Sequence, residues 1–151
     1  SDVLSNGNSS RLTQHLVKER QIFSSIDAYI SGSVEPGLFQ ISGKPAPGVS
    51  LEQAEAAVWE ELEALKNTLV DEHELEKVKN KFESEQIFSN INYLNVATNL
   101  AFFELISKAE DLNNEVNNYR KVTADQLKEI ACKAFVRNNC STLHYIAKKE
   151  A

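Results

Sequence analysis

Between residues 22 and 43 the apolar residues stop recurring every third or fourth position and alternate instead. Ile22, Ser24, Ile26, Ala28 and Ile30 fall on one face; Phe23, Ser25, Asp27, Tyr29 and Ser31 fall on the other. A period of two is that of a half-buried strand. Glu35-Pro36-Gly37 follows. Proline presets φ and glycine accepts a positive φ, so a tight turn of type II is expected. Leu38 to Gly43 then returns as a second strand, which makes an antiparallel hairpin.

Helical spacing flanks this hairpin. Val3 and Leu4 belong to a short helix that ends at Ser5-Asn6-Gly7-Asn8, and a second helix runs from about Ser9 to Glu19. Lys44 to Val49 holds Pro45, Pro47 and Gly48 and reads as a loop. Ser50-Leu51-Glu52-Gln53 is a capping box. Leu51, Ala54, Val58, Leu62 and Leu65 then keep one helical face. Asp71 is placed to cap the next helix, whose stripe is Leu75, Val78 and Phe82. Residues 87–106 are apolar more evenly, from Ile87 and Phe88 to Leu105 and Ile106. A helix apolar on most sides is expected to be buried on most sides. Ser107-Lys108-Ala109-Glu110 and Thr123-Ala124-Asp125-Gln126 read as two more capping boxes. The last helix covers Ile130, Ala131, Ala134 and Phe135 and ends at Asn138-Asn139. Leu143, Tyr145 and Ala147 alternate with Thr142, His144 and Ile146 as a final strand.

Helix, strand, strand, several helices and strand describe an α+β fold, with helices packed on one face of a mostly antiparallel sheet. The length of 151 residues suits a single domain, residues 1–151, able to bury a core without disulfides or a metal. The chain contains no methionine and opens inside a helical pattern. It is therefore expected to be a piece of something longer, truncated at its N-terminus, where a further strand would widen the sheet. A net charge of −6 argues against a nucleic-acid partner, which demands a basic surface. No apolar run is long enough to span a bilayer, and no signal peptide is visible. Neither Cys132 nor Cys140 belongs to a CxxC pair, so thiolate zinc binding is not indicated and the compartment stays open.

A search for chemistry finds little. His15, His73 and His144 are far apart, and no two stand at i and i+4 on one helix. His15 shares a helix face with Glu19, a solvated contact rather than a metal site. His73 lies among Asp71, Glu72, Glu74 and Glu76, where early-helix acids answer the macrodipole. Ser9 and Ser10 open a helix, where serine caps, and no GxSxG elbow surrounds them. The carboxylates at 52–63 and 71–85 fill polar helix faces. Gly7 permits a tight turn, and Arg11 is positioned to pair with an acid elsewhere.

The segment Gly7-Asn8-Ser9-Ser10-Arg11-Leu12 resembles the Gly-x-x-Ser-Arg-Leu signature of the insulinase/pitrilysin zinc metallopeptidases, which include the mitochondrial processing peptidases. The similarity continues through Leu16-Val17-Lys18-Glu19-Arg20, Ile26-Asp27-Ala28-Tyr29, Pro36-Gly37-Leu38-Phe39, the segment from Ala97 to Glu104 and the Tyr119 to Leu127 entry. It covers essentially the whole chain.

That resemblance implies a pitrilysin-like, C-terminal-type domain: the second, non-zinc domain of one half of such a peptidase. In the family, paired halves close around an unfolded peptide, and zinc sits in another domain on His-x-x-Glu-His. No such motif occurs here. Active members also place an arginine and, seven residues on, a tyrosine near the scissile bond. Aligned through Arg11-Leu12, those places hold Val17 and Ser24, which supply neither group. The implied role is a non-catalytic scaffold and peptide-chamber domain, with zinc carried elsewhere in the parent protein. Its partners would be the other domains or the homologous half, and a peptide substrate. The alternative is a degenerate peptidase-like module that serves assembly alone.

Overall fold

A computed structural model describes residues 1–32 and 34–146. The elements in chain order are α1 (Asp2–Ser5), a wide helix (Leu12–Glu19), β1 (Phe23–Ile30), β2 (Phe39–Pro45), α2 (Leu51–Asn67), α3 (Glu72–Ser89), α4 (Tyr93–Ile106), a 3-10 segment (Ala109–Asn114), α5 (Glu115–Arg120), α6 (Ala124–Ala134) and a short 3-10 turn (Arg137–Asn139). The architecture is α+β: helices packed with a small antiparallel sheet of two strands, β1 and β2.

The hairpin forms with one departure from strict alternation. Pairing runs from Phe23 opposite Pro45 to Ile30 opposite Phe39, with an irregularity between Phe23 and Ser25. The extra residue, Ser24, shifts the phase there. Phe23 is buried with Ile26 and Ala28, whereas Ser24 is exposed and its hydroxyl donates to the Lys44 carbonyl at 3.0 Å. The connection is also longer than a type II turn. Positive φ among the glycines occurs at Gly7 and Gly48, not at Gly37. The Ser31 N–H donates to the Leu38 carbonyl at 2.9 Å, closing an open loop. Gly37 is needed there for close approach, since a Cβ would stand 1.8 Å from the Ser31 carbonyl oxygen.

The core gathers where this hairpin meets the first helices and α2. Leu4, Leu12 and Leu16 are its most enclosed side chains, joined by Phe23, Ile26, Ala54, Ala57, Trp59, Leu62, Leu65, Val78 and Ala131. The local signals act as expected at three helix starts. Ser50 and Gln53 exchange hydrogen bonds in a full capping box, as do Thr123 and Gln126. The Asp71 carboxylate accepts the N–H groups of His73 and Glu74. Ser107 does not act so: it closes α4, and the first N–H of the following 3-10 segment, on Ala109, donates to Glu104 at 3.0 Å.

Two larger expectations fail. α4 has no buried residue at all, although residues 87–106 are the most evenly apolar part of the chain. It packs chiefly on the 3-10 segment that follows it, and no sheet or second helix is stacked over its outer side among the described residues. Residues 141–146 pair with no strand and are exposed; Ala147, the end of the expected third strand, lies outside the described residues. α6 stops at Ala134, before Asn138-Asn139, because Phe135 leaves helical conformation and packs edge-on against Phe39 of β2 at 4.9 Å.

Candidate functional site

The signature segment forms the corner between α1 and the wide helix. Gly7 has φ 100°, a left-handed conformation that a Cβ strains. The Ser10 hydroxyl donates to the Gly7 carbonyl at 2.7 Å and lies beside the Thr13 hydroxyl at 3.1 Å. Neither Ser9 nor Ser10 caps the helix by its side chain. Ser10 instead ties the corner to itself. Three lysines hold the same corner from outside. Lys18 donates to the Asn8 carbonyl, Lys77 to the Ser9 carbonyl and Lys81 to the carbonyl and side chain of Asn6, at 2.6–3.0 Å. Beneath it lies a small cavity of about 30 Å³, lined by Asp2, Val3, Lys77 and Val78 among others.

The helix after the corner is built from i→i+5 hydrogen bonds over eight residues. Runs of this kind are rare and sit preferentially at sites with a task. It closes with the Arg20 N–H on the His15 carbonyl at 2.9 Å, then Gln21 at φ 51°, left-handed without being glycine. The wide turn aims two polar side chains at neighbouring helices. Arg11 meets Glu74 of α3 as a two-pronged fork, Nε and Nη donating at 2.9 and 2.8 Å, with both side chains largely buried. A charge-assisted pair of this geometry contributes roughly 1.5–3 kcal/mol. The hydrogen bond to Glu74 raises the Arg11 pKa, and the Glu61 charge adds to the effect. His15 meets Glu61 of α2 through Nδ1 at 2.7 Å, not Glu19 of its own helix. Glu61 is 8% exposed, so it is an acid held inside by this partner. Among the described residues no buried side-chain nitrogen or oxygen lacks a partner.

The remaining candidates are dispersed. Val17, where the resemblance would place an arginine, packs against the core. Ser24, where it would place a tyrosine, sits at the strand irregularity bonded to Lys44. Leu12 is fully buried beside Leu16. His144 pairs with Glu55 at 3.3 Å, and both cysteines are free and exposed. Tyr119 stacks on Phe82 at 3.9 Å and donates to Asp2; burial raises its pKa. Arg120 reaches Glu76, Asn80 and Glu83 of α3. An open groove of about 450 Å³ runs between α1 and β1 past Asp2, Ser5, Asp27 and Tyr29.

Chemically, this arrangement holds elements together. No three His, Cys, Asp or Glu side chains converge on one point among the described residues. No helix among the described residues is long and apolar enough to cross a membrane. Sequence reasoning saw Arg11 as a pairing residue but missed Glu61 as the partner of His15, for the two lie 46 residues apart.

Comparison with known proteins adds a family and a fold. Residues 1–82 match the peptidase M16 inactive domain. No curated protein matches the sequence. Among solved structures, the inactive peptidase domain of a protein described as a zinc protease from Bordetella parapertussis superimposes with a TM-score of 0.84 at 21% identity. That match covers 96% of this chain and 79% of the other. A protein described as a zinc protease from Bordetella pertussis Tohama I gives 0.82 at 21% identity, covering 97% and 81%. A protease from Helicobacter pylori gives 0.81 at 20% identity; the match covers 88% of this chain but spans about a third of that one, 32%. At these identities the likeness is one of fold.

Proposed function

Since the chain belongs to the family of peptidase M16 inactive domains, we propose that it serves as a non-catalytic scaffold and peptide-chamber domain of a zinc-dependent metalloendopeptidase. The observation that carries this reading is the family match together with what the signature segment does. Arg11 and His15 are spent on Glu74 and Glu61, and Ser10 on Gly7, so the side chains fit for chemistry serve as struts. A domain of this kind positions others. In this reading zinc and the water-activating carboxylate belong to another domain of the parent protein, and this chain supplies a wall of the space in which an unfolded peptide is held. Its partners are the remaining domains of the same peptidase.

The exposed apolar side of α4 favours a second reading, an assembly module whose parent has no protease activity. Metal analysis and hydrolysis of an unstructured fluorogenic peptide test the first. The purified chain is expected to carry substoichiometric zinc and to leave the peptide intact. The zinc-bearing domain of the same peptidase is expected to cut it faster once this chain is added. Stoichiometric zinc on this chain, with hydrolysis stopped by a chelator, overturns the scaffold role. An active zinc domain indifferent to this chain leaves the assembly reading.

A further inference from the structure

The small cavity at the signature corner has a composition that its structural duty does not require. Its walls come from α1, from the corner and from α3, through Asp2, Asn6, Ser9, Ser10, Lys77 and Lys81. Lys77 and Lys81 stand four residues apart on α3, so they share one helix face, with Cβ atoms roughly 5–6 Å apart. Both reach the rim. Lys77 donates to the Ser9 carbonyl at 2.9 Å, and Lys81 to the Asn6 carbonyl and side chain at 3.0 and 2.6 Å. Two ammonium groups therefore flank one concavity.

We propose that this concavity binds a carboxylate, the side chain of an acidic residue in a peptide, between Lys77 and Lys81. Charge is the first reason. Lys77 has no carboxylate partner among the described residues, and Lys81 has a distant one, Glu85 at 3.7 Å. The acid on the cavity wall, Asp2, is engaged by the Tyr119 hydroxyl. Lys18 brings a third ammonium to the Asn8 carbonyl at 2.7 Å. Asn8 and Ser9 are consecutive, so the Lys18 and Lys77 charges lie within about 10 Å of each other, a Debye length at ordinary salt. Carbonyl acceptors satisfy these donors without cancelling their charge. Like charges four apart on a helix repel, and an anion between them relieves that repulsion. The chain as a whole carries −6, so a carboxylate is drawn to this corner and turned away elsewhere.

The second reason is spare donors. An ammonium offers three N–H groups, and Lys77 spends one of them on the Ser9 carbonyl. The exposed Ser9 hydroxyl meets no partner among the described residues. Size is the third. At roughly 10–15 Å³ for one water-sized group, about 30 Å³ has space for the two oxygens of a carboxylate and not for a phosphate ester. The choice of a peptide as the source rests on the reading of this chain as a wall of the peptide-holding space; the carboxylate chemistry does not.

Nuclear magnetic resonance of the isotope-labelled chain tests it, with a peptide of several glutamates among glycines, blocked at both ends. The peptide is expected to shift the Ser9 and Ser10 amides and the Lys77 side chain saturably, with affinity falling about tenfold or more from low to high salt. The same peptide carrying glutamine is expected to leave them unmoved. Lys77→Gln/Lys81→Gln should weaken binding at least about tenfold, while Lys128→Gln, on α6, should not change it. Both cavity lysines also tie the corner, so circular dichroism accompanies the double variant. If that variant unfolds, Lys77→Gln alone must weaken binding by about threefold. A glutamine peptide that shifts the same resonances equally overturns the proposal, as does a glutamate peptide that shifts none of residues 6–10. Inorganic phosphate that binds there while the peptide does not also overturns it and assigns the cavity to a free anion. None of these failures touches the scaffold role, which metal analysis and hydrolysis decide separately.

Discussion

α2 and α4 are both apolar helices of the same chain, and they finish on opposite sides of the water boundary. α2 buries Ala54, Ala57, Trp59, Leu62 and Leu65, while four of its five carboxylates, Glu52, Glu55, Glu60 and Glu63, stay on or near the surface and the fifth, Glu61, is buried against His15. α4 has a single charge and buries nothing. Amphipathic division tells a helix which way to face. Uniform apolarity gives no such instruction and says merely that something should cover it. In α2 the cover is supplied within the chain, by the wide helix and α6. In α4 the cover must come from outside these elements, so the same transfer free energy that stabilises one helix remains available for association in the other.

The largest contrast is expected from matched truncations. Leu16→Ala removes a fully buried side chain where the wide helix meets the core. It should cost about 2–5 kcal/mol in urea unfolding, as large-to-small changes at packed sites do. A loss under 1 kcal/mol would mean that the core is looser than its burial indicates. An intermediate effect is expected at Gly7→Val. The backbone at φ 100° disfavours a β-branched residue, and the added Cβ meets the Lys81 Nζ at 2.8 Å. Because that lysine end can move, the backbone dominates, and a cost of roughly 1–2 kcal/mol is expected. An unchanged melting temperature would contradict the left-handed corner. The smallest effect belongs to Leu105→Ala, 70% exposed. Measured at dilution, it should move the unfolding free energy by no more than about 0.5 kcal/mol. A core-sized loss there would show that α4 is covered within one chain, erasing the contrast with α2.

What the sequence disclosed follows the reach of each interaction. The capping boxes at Ser50 and Thr123 and the Asp71 cap close within three residues, so their letters suffice. The hairpin is legible because alternation is a property of one segment. Its phase slip at Ser24 is not, since a bulge is decided by the strand opposite. The family signature marked Arg11 as a residue seeking an acid, but which acid depends on α3 being brought alongside, 63 residues later. The i→i+5 helix is likewise not legible, because its residues keep an ordinary helical pattern. The alternation at 141–147 describes a competence to pair. No edge among the described residues meets positions 141–146.

The wide helix also changes how distance along this chain should be measured. Val17 and Ser24 stand six and thirteen residues beyond Arg11. Each widened turn absorbs one residue more than an α-helical turn, and the doubled pairing step before Ser25 absorbs another. A ruler graduated in residues is therefore stretched over this segment. Two relatives with equal letter counts from the arginine can point their side chains in different directions, so equivalence here is read by superimposing backbones.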